Sequence, residues 1–328
     1  MEVIRIDYLH VQENLPKSSC CIGFFDGLHT GHQALIENCI VKAKEFGVKS
    51  GLITFDPDPW KIFFPDRVCR HITTLEDRIH LASRMGIEVM YVITFSKDFA
   101  ALDVDAFHLL LKKMNVAHIT CGFDFKYASK NTGNVDTISS QNYFDVSVID
   151  SVNSQNEKIS SSRIEPLIQS GKIDLANELL GYMYSIEGVI EHGFKRGSTL
   201  LKFPTANLGA NPDYLVPSSG VYAGFVCVNN IFYGAMINVG NNPTFENKKV
   251  SIEAHIFDFD QDIYDQRVRF FFLKKTRNEI RFNGFEELKK QLESDIITCK
   301  KVILKEMKYI QKTATLWDAK VFEFKSLF

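Results

Sequence analysis

A ten-residue segment between a predicted strand and a predicted helix constrains this chain most. It reads Gly23-Phe24-Phe25-Asp26-Gly27-Leu28-His29-Thr30-Gly31-His32 and places two histidines three residues apart. The apolar run 20–25 predicts a buried strand, and residues 33–46 predict a helix that Gly47 ends. Both imidazoles then lie at a helix N-terminus, where free N–H groups and the helix dipole favour phosphate. The segment therefore predicts a nucleotide site.

Length and charge limit the class of protein. A chain of 328 residues is too long for one typical core, so two domains are expected. Charged residues make up 24% and nearly balance at a net −2, which gives no general attraction to nucleic acid or an anionic membrane. No apolar run approaches the roughly 18 residues that span a bilayer, and no signal peptide is evident, so we expect a cytoplasmic protein. The seven cysteines form no C-x-x-C pair and are expected to be reduced.

The first half of the chain alternates between strand and helix patterns. Residues 50–55, 89–95 and 117–121 predict strands, and residues 75–85 and 104–114 predict helices between them. Alternation of this kind indicates an α/β fold with a doubly wound parallel sheet, which binds ligands beyond the carboxyl ends of its strands. The two histidines lie at such an end.

The pattern changes after about residue 183. Closely spaced strands are predicted at residues 185–190, 220–228, 231–239, 250–259 and 267–273, followed by a helix at 286–310. This spacing indicates an antiparallel barrel or sandwich, and Asn229-Asn230 suits a two-residue hairpin turn. We therefore predict a domain at 1–183, a second at 184–310 that folds alone, and a tail at 311–328 to which the sequence assigns no role.

Several motifs of the first half occur together in one known family. The histidine segment resembles the G-x-F-D-G-x-H-x-G-H motif of bacterial bifunctional riboflavin kinase/FMN adenylyltransferases, or FAD synthetases. In the same order follow residues 54–59, similar to T-F-D-P-H-P, residues 122–125, similar to G-x-D-F, and residues 159–164, similar to I-S-S-T/S-x-I-R. The resemblance implies a nucleotidylyltransferase domain in which the FMN phosphate attacks ATP and pyrophosphate leaves.

The family's roles carry over to matching positions. His29 and His32 would be catalytic, as hydrogen-bond donors to the triphosphate, and Asp124 would bind flavin. The resemblance assigns ATP and phosphate binding to Gly23, Phe25, Asp26, Gly31, Ser160, Ser161, Ser162 and Arg163. Because the FMN phosphate is already anionic, no general base is needed. Two departures, Asp58 for the usual His and Glu165 for the usual Arg, are expected to place negative charge near the triphosphate.

Downstream, residues 196–207 resemble the riboflavin kinase signature that ends G-F-P-T-A-N, with Lys202 in the Gly position. The family uses the Thr and Asn to hold Mg²⁺ with ATP, which implies Thr205 and Asn207 here. The chain has no Walker P-loop, so the backbone near Gly193 and Gly197 would cradle the phosphates. Glu253 matches the family's general base, and alternation puts it on the opposite strand face from Ile252. Flavin contacts are implied for Arg277, Glu279 and Phe282.

The resemblance implies a two-step transferase that converts riboflavin to FMN and FMN to FAD, with ATP and Mg²⁺. Its partners would be these small molecules, with no nucleic acid and no membrane. Two alternatives remain open: a riboflavin kinase with a degenerate adenylyltransferase domain, and a flavin- or nucleotide-binding regulator without turnover. The intact histidines and Glu253 argue against the regulator, because binding alone requires no base.

Overall fold

The computed structural model describes residues 1–192, 204–209, 211–241 and 250–322. These residues form two compact units, Met1–Ser161 and Ser162–Phe328. The functional boundary predicted at residues 183/184 stays a prediction. In the part of the chain that the structure describes, no helix is both long and apolar enough to cross a membrane.

The first unit is built on six parallel strands, as the alternating pattern predicts. They are β1 (Glu2–Ile6), β2 (Ser18–Ile22), β3 (Lys49–Asp56), β4 (Val89–Thr94), β5 (Val116–Gly122) and β6 (Asp145–Ile149). Their order in the sheet is β1-β4-β3-β2-β5-β6. The chain moves from β2 outward through β3 in one direction and through β5 in the other, so the strand order reverses beside β2. Ligands bind at such a switch point, beyond the carboxyl end of the strand.

Helices and short elements connect these strands. They are α1 (Thr30–Phe46), α2 (Pro59–Phe63), α3 (Leu75–Arg84), α4 (Lys97–Ala100), α5 (Val104–Lys113), α6 (Val135–Ser139) and the hairpin β7 (Asn153–Ser154) and β8 (Glu157–Lys158). Local signals define their ends. Gly47 ends α1 in the left-handed conformation, and Thr74 with Asp77 forms a capping box at the start of α3.

The second unit contains a closed antiparallel barrel of six strands, in the order β11-β14-β9-β10-β13-β12 with β12 returning to β11. The strands are β9 (Tyr184–Glu191), β10 (Ala206–Leu208), β11 (Gly220–Val228), β12 (Ile231–Asn241), β13 (Val250–Ile256) and β14 (Arg267–Arg277). The predicted turn at Asn229-Asn230 is confirmed: both residues have positive φ angles, 48° and 60°, as a tight hairpin turn requires. The predicted fold class is correct for both units.

Among the described residues of the second unit, the helices are α7 (Ser161–Gln169), whose first residue belongs to the first unit, α8 (Ile173–Leu180), α9 (Phe285–Lys305) and α10 (Met307–Leu316). The region from residue 311, to which the sequence assigned no role, continues α10 and adds β15 (Lys320–Val321), which pairs with the start of β12. Trp317 lies under the guanidinium of Arg269, 3.9 Å from its carbon to the ring centre. This segment is thus part of the barrel's packing.

Candidate active sites

Residues 23–32, here called the histidine loop, follow the carboxyl end of β2. Three of them, Phe25, Gly27 and Leu28, have positive φ angles of 59°, 75° and 36°. The Asp26 carboxylate accepts hydrogen bonds from the backbone N–H groups of residues 72 and 73, at 3.1 and 2.9 Å. Burial acts to raise the pKa of Asp26, but contacts with His71 and with this backbone outweigh it and lower the pKa. Asp26 is therefore an ionised anchor that holds the strained loop in place.

The two predicted histidines lie against each other. Their rings stack with centres 3.7 Å apart. His29 caps α1, because its Nδ1 accepts the backbone N–H of His32 at 3.3 Å. A neutral His29 ring then carries its proton on Nε2, which leaves that nitrogen as a donor. Nδ1 of His32 is buried and has no hydrogen-bond partner among the described residues. Buried polar atoms are normally hydrogen-bonded, so this nitrogen has the capacity for one further polar contact.

Burial sets the charge of both rings. It lowers the pKa of His29 to about 4, with the charge of Lys158 acting in the same direction and Asp26 opposing it. Burial also lowers the pKa of His32 well below its usual value, assisted by His29 and Lys158. Both imidazoles are consequently neutral near pH 7, and each offers a single N–H rather than a positive charge.

The serine motif, residues 159–164, contacts the histidine loop near Gly31. A Cβ on Gly31 would lie 3.2 Å from the His29 ring and 3.4 Å from the carbonyl oxygen of Ile159. The glycine thus makes room for His29. Ser161 donates its hydroxyl to the carbonyl of Asp26 at 2.9 Å. The segment 159–161 therefore lies against the histidine loop.

Arg78 was not identified from the sequence, although it fixes the same loop. Its Nη1 donates to the carbonyl of Phe24 at 2.6 Å and to the Thr54 hydroxyl at 3.1 Å. The Thr54 hydroxyl donates to the same carbonyl at 3.0 Å. Arg78 is close to fully buried, and its guanidinium lies 4.4 Å from the centre of the Phe24 ring. It acts as a clamp, and no spacing in the sequence marks it.

Asp58 has local partners that the sequence did not show. One carboxylate oxygen accepts the backbone N–H of Trp60 at 2.8 Å and caps α2. The other lies 3.3 Å from Nε2 of His71, whose Nδ1 is 3.8 Å from Asp26. The side chain is almost completely buried. The expected unbalanced charge at this position is therefore offset by a helix N-terminus and an imidazole.

Asp124, predicted to contact flavin, is paired with Lys158 at the end of β8. Lys158 also lies over the Phe123 ring, with its nitrogen 5.0 Å from the ring centre. The flavin contact of Asp124 stays a prediction. The remaining predicted phosphate ligands occupy the start of α7: Ser160 precedes it, and Ser162 and Arg163 lie in its first turn, followed by Glu165.

In the barrel, three polar residues of neighbouring strands meet. Asn207 on β10 is directly opposite Glu253 on β13, and Asn238 on β12 is opposite Glu253 on the other side. Residues paired in this way have Cβ atoms about 4.5–5.5 Å apart and share a face of the sheet. The predicted base and one predicted metal ligand are thus neighbours. Asn238 is a candidate that the sequence did not indicate.

Burial raises the pKa of Glu253. The predicted alternation on β13 is confirmed, because Ile252, Ala254 and Ile256 are all buried. Nδ1 of His255 donates to the carbonyl oxygen of Pro204 at 3.0 Å, because that carbonyl can only accept. His255 thereby holds the chain just before Thr205.

Arg277 is bound to a helix. Its Nε is 3.0 Å from both oxygens of Asp295 on α9, and its Nη2 is 2.6 Å from one of them. This bidentate pair is mostly buried and fastens α9 to β14. Glu279 is exposed and Phe282 is partly buried. The flavin contacts of these three residues stay predictions, and Gly193, Gly197 and Lys202 lie outside the described residues.

Together, these features define a transferase with two nucleotide-dependent sites, one at the switch point of a parallel sheet and one on a barrel. Comparison with known proteins agrees with both halves. A family model described as FAD synthetase matches residues 11–163, and one described as riboflavin kinase matches residues 180–303.

Three curated relatives carry the name bifunctional riboflavin kinase/FMN adenylyltransferase. The Bacillus subtilis protein is 38% identical over 90% of this chain and 96% of its own length. The Listeria monocytogenes protein is 38% identical over 84% and 88%, and the Escherichia coli K12 protein is 28% identical over 92% and 97%. A crystal structure described as a macrolide-efflux protein from Streptococcus pneumoniae covers 92% of this chain and 99% of that chain, with 30% identity and a TM-score of 0.85.

The chain belongs to the family of bifunctional riboflavin kinase/FMN adenylyltransferases. It is an enzyme of the transferase class that makes FMN and then FAD.

Proposed function

We propose that the barrel phosphorylates riboflavin and that the parallel-sheet unit adenylylates the resulting FMN. One observation supports this division: each unit holds the functional group that its reaction needs. The first unit holds a pair of neutral imidazole donors, and the barrel holds a half-buried carboxylate opposite an asparagine. The proposed functional domains are 1–183 and 184–310.

In the kinase step, the riboflavin 5′-hydroxyl is a protonated nucleophile and needs a proton acceptor. Glu253 takes this proton as the oxygen forms its bond to the γ-phosphorus and ADP leaves. Because burial raises the pKa of Glu253, its carboxylate is a stronger base than one in water. The Asn207 amide beside it is placed to orient the phosphates.

Thr205 and Asn207 would hold Mg²⁺ in this site. Their hard oxygen atoms suit the ion, and Mg²⁺ commonly takes one or two protein ligands together with substrate phosphates. When bound, Mg²⁺ neutralises charge on the phosphates.

In the adenylyl step, an FMN phosphate oxygen forms a bond to the α-phosphorus of ATP, and the bond to pyrophosphate breaks. The nucleophile is anionic near neutral pH, so the protein supplies position and hydrogen bonds. His29 donates through Nε2 to the triphosphate. A phosphate in the loop would also give the unpartnered Nδ1 of His32 a polar neighbour. Ser160 adds its hydroxyl, while the Ser161 hydroxyl donates to the carbonyl of Asp26 and holds the loop.

Product analysis tests this proposal. The full-length protein is incubated with riboflavin, ATP and Mg²⁺, and flavins are separated over time. We expect FMN to form first and FAD to follow. FMN without FAD would leave only the kinase assignment, and neither product would support a binding protein without turnover.

A further inference from the structure

Lys158 lies beside the histidine loop. It is the last residue of β8 and immediately precedes the serine motif. The next residue, Ile159, has its carbonyl oxygen 3.4 Å from the place where a Cβ on Gly31 would stand. Two residues further, Ser161 donates to the carbonyl of Asp26. The backbone directly after Lys158 is therefore fixed against the loop that carries both histidines.

The ammonium group of Lys158 is available for exchange. It pairs with Asp124 and lies over the Phe123 ring. The side chains of Lys158 and Asp124 are 42% and 54% exposed. Ion pairs this exposed are weak, because water screens both charges. A phosphate group, which carries more negative charge and more acceptor oxygens than a carboxylate, can displace Asp124 as the partner of this lysine.

Apart from Arg163, a predicted phosphate ligand in the first turn of α7, the groups described around the histidine loop supply little positive charge to a phosphate. His29 and His32 are neutral at pH 7. Arg78 directs its donors to backbone and hydroxyl oxygens. His71 lies between the carboxylates of Asp26 and Asp58. Lys158, in contrast, is near enough to both catalytic histidines for its charge to disfavour their protonation.

We propose that Lys158 binds a substrate phosphate in the adenylyl transfer and exchanges Asp124 for a phosphate oxygen. The inference rests on the adenylyltransferase function proposed above. It adds a binding residue outside the motifs that identified this site. The phosphate belongs either to ATP or to FMN, and the two sources are separated by which substrate's KM changes.

The test compares Lys158→Met, which removes the charge at similar size, with Lys158→Arg, which retains it. FAD formation is measured from FMN and ATP, and riboflavin phosphorylation is measured separately as total FMN plus FAD. Lys49→Met is the matched control, because Lys49 forms an ion pair with Glu2 of similar exposure, 45% and 54%. Lys49 begins β3 and pairs with Ser18 at the amino end of β2, whereas the histidine loop follows the carboxyl end of β2.

We expect Lys158→Met to lower kcat/KM for adenylylation at least about tenfold, the scale for a lost hydrogen bond to a charged group. Riboflavin phosphorylation and the Lys49→Met control should stay within about twofold of the parent, and Lys158→Arg should recover most of the loss. The difference in kcat/KM for adenylylation between the Lys158→Met variant and the parent should shrink with added salt. A rise in KM for ATP or for FMN supports the proposal and identifies the phosphate.

Two results would overturn the inference while the parent still makes FAD. One is adenylylation by Lys158→Met at the parent rate. The other is an equal loss of both reactions, or a loss that Lys158→Arg does not restore, because a positive charge that binds a phosphate of the adenylyl transfer predicts neither. A parent that makes no FAD from FMN would instead overturn the proposed function itself.

Discussion

Burial disfavours the charged form of the functional groups at both sites and thereby prepares the two sites for different chemistry. In the histidine loop it lowers the pKa of His29 and His32, so that both rings are neutral donors. In the barrel it raises the pKa of Glu253 and makes the carboxylate a stronger proton acceptor. Desolvation disfavours charge in each case. The reaction with an anionic nucleophile receives donors, and the reaction with a neutral hydroxyl receives a base.

Two ion pairs, one from each unit, differ in their exposure to solvent. Asp124 and Lys158 in the first unit are about half exposed, whereas Arg277 and Asp295 in the second are only 18% and 5% exposed. A buried bidentate pair fixes a helix to a strand, while an exposed pair exchanges partners easily. The first arrangement suits a residue that contacts substrate, and the second suits one that maintains packing.

The comparison between the two units depends on whether the barrel needs α7 and α8. Deleting these two helices has the largest expected effect, on the stability of the second unit. Asn177 in α8 donates to the carbonyls of Phe272 and Leu273 at 2.9 and 3.2 Å and accepts the N–H of Tyr184 at 2.7 Å. A fragment 184–328 loses these bonds and exposes the surface that α8 covers. We expect it to be less stable than a fragment 162–328 by roughly 5 kcal/mol or more, because several large apolar side chains of α8 are buried.

Urea unfolding of the two fragments measures this difference, with riboflavin phosphorylation as the functional readout. Full-length Asn177→Ala serves as a control that retains the helix and removes only its side-chain bonds. It should be destabilised, by about 1–3 kcal/mol, since buried backbone groups lose their partners. Equal stability and activity of the two fragments would support the boundary at 183/184 and show that α7 and α8 are dispensable.

Replacing Asp58 with the family's His is expected to have a smaller effect, on adenylylation. The family pattern predicts a gain in activity from this change, whereas the contacts of Asp58 predict a loss. Asp58→His removes the cap of α2 and places a second imidazole opposite His71. We therefore expect kcat/KM for adenylylation to fall, by up to about tenfold, since a lost cap alone costs about 1 kcal/mol. Asp58→Asn keeps an acceptor oxygen for the Trp60 N–H and should retain most activity. Faster FAD formation by Asp58→His would show that the carboxylate repels ATP after all.

Local signals explain what the sequence could predict. The hairpin at Asn229-Asn230 needs only two residues that tolerate positive φ, and the end of α1 needs only Gly47. The alternation that turns Glu253 away from the face of Ile252 needs only the two-residue repeat of a strand.

Contacts between segments that are distant in the chain explain what the sequence could not predict. His71 meets Asp58 thirteen positions away, and Arg78 reaches the carbonyl of Phe24 across 54 positions. Neither contact has a fixed spacing in the sequence. The sequence therefore did not show that His71 lies beside the charge of Asp58. The role of the chain after residue 310 depends on pairing with β12, which also leaves no local pattern.

The central claim is that each site carries one reaction, and a crossed assay of two variants tests it most directly. Glu253→Gln removes the base, and His29→Asn removes the Nε2 donor while keeping a residue that caps helices well. Both reactions are measured for each full-length variant, with FMN supplied for the second. We predict that Glu253→Gln lowers riboflavin phosphorylation about 10²-fold or more with adenylylation unchanged, and that His29→Asn does the reverse. Loss of both reactions in either folded variant, or of neither in both, would contradict the account.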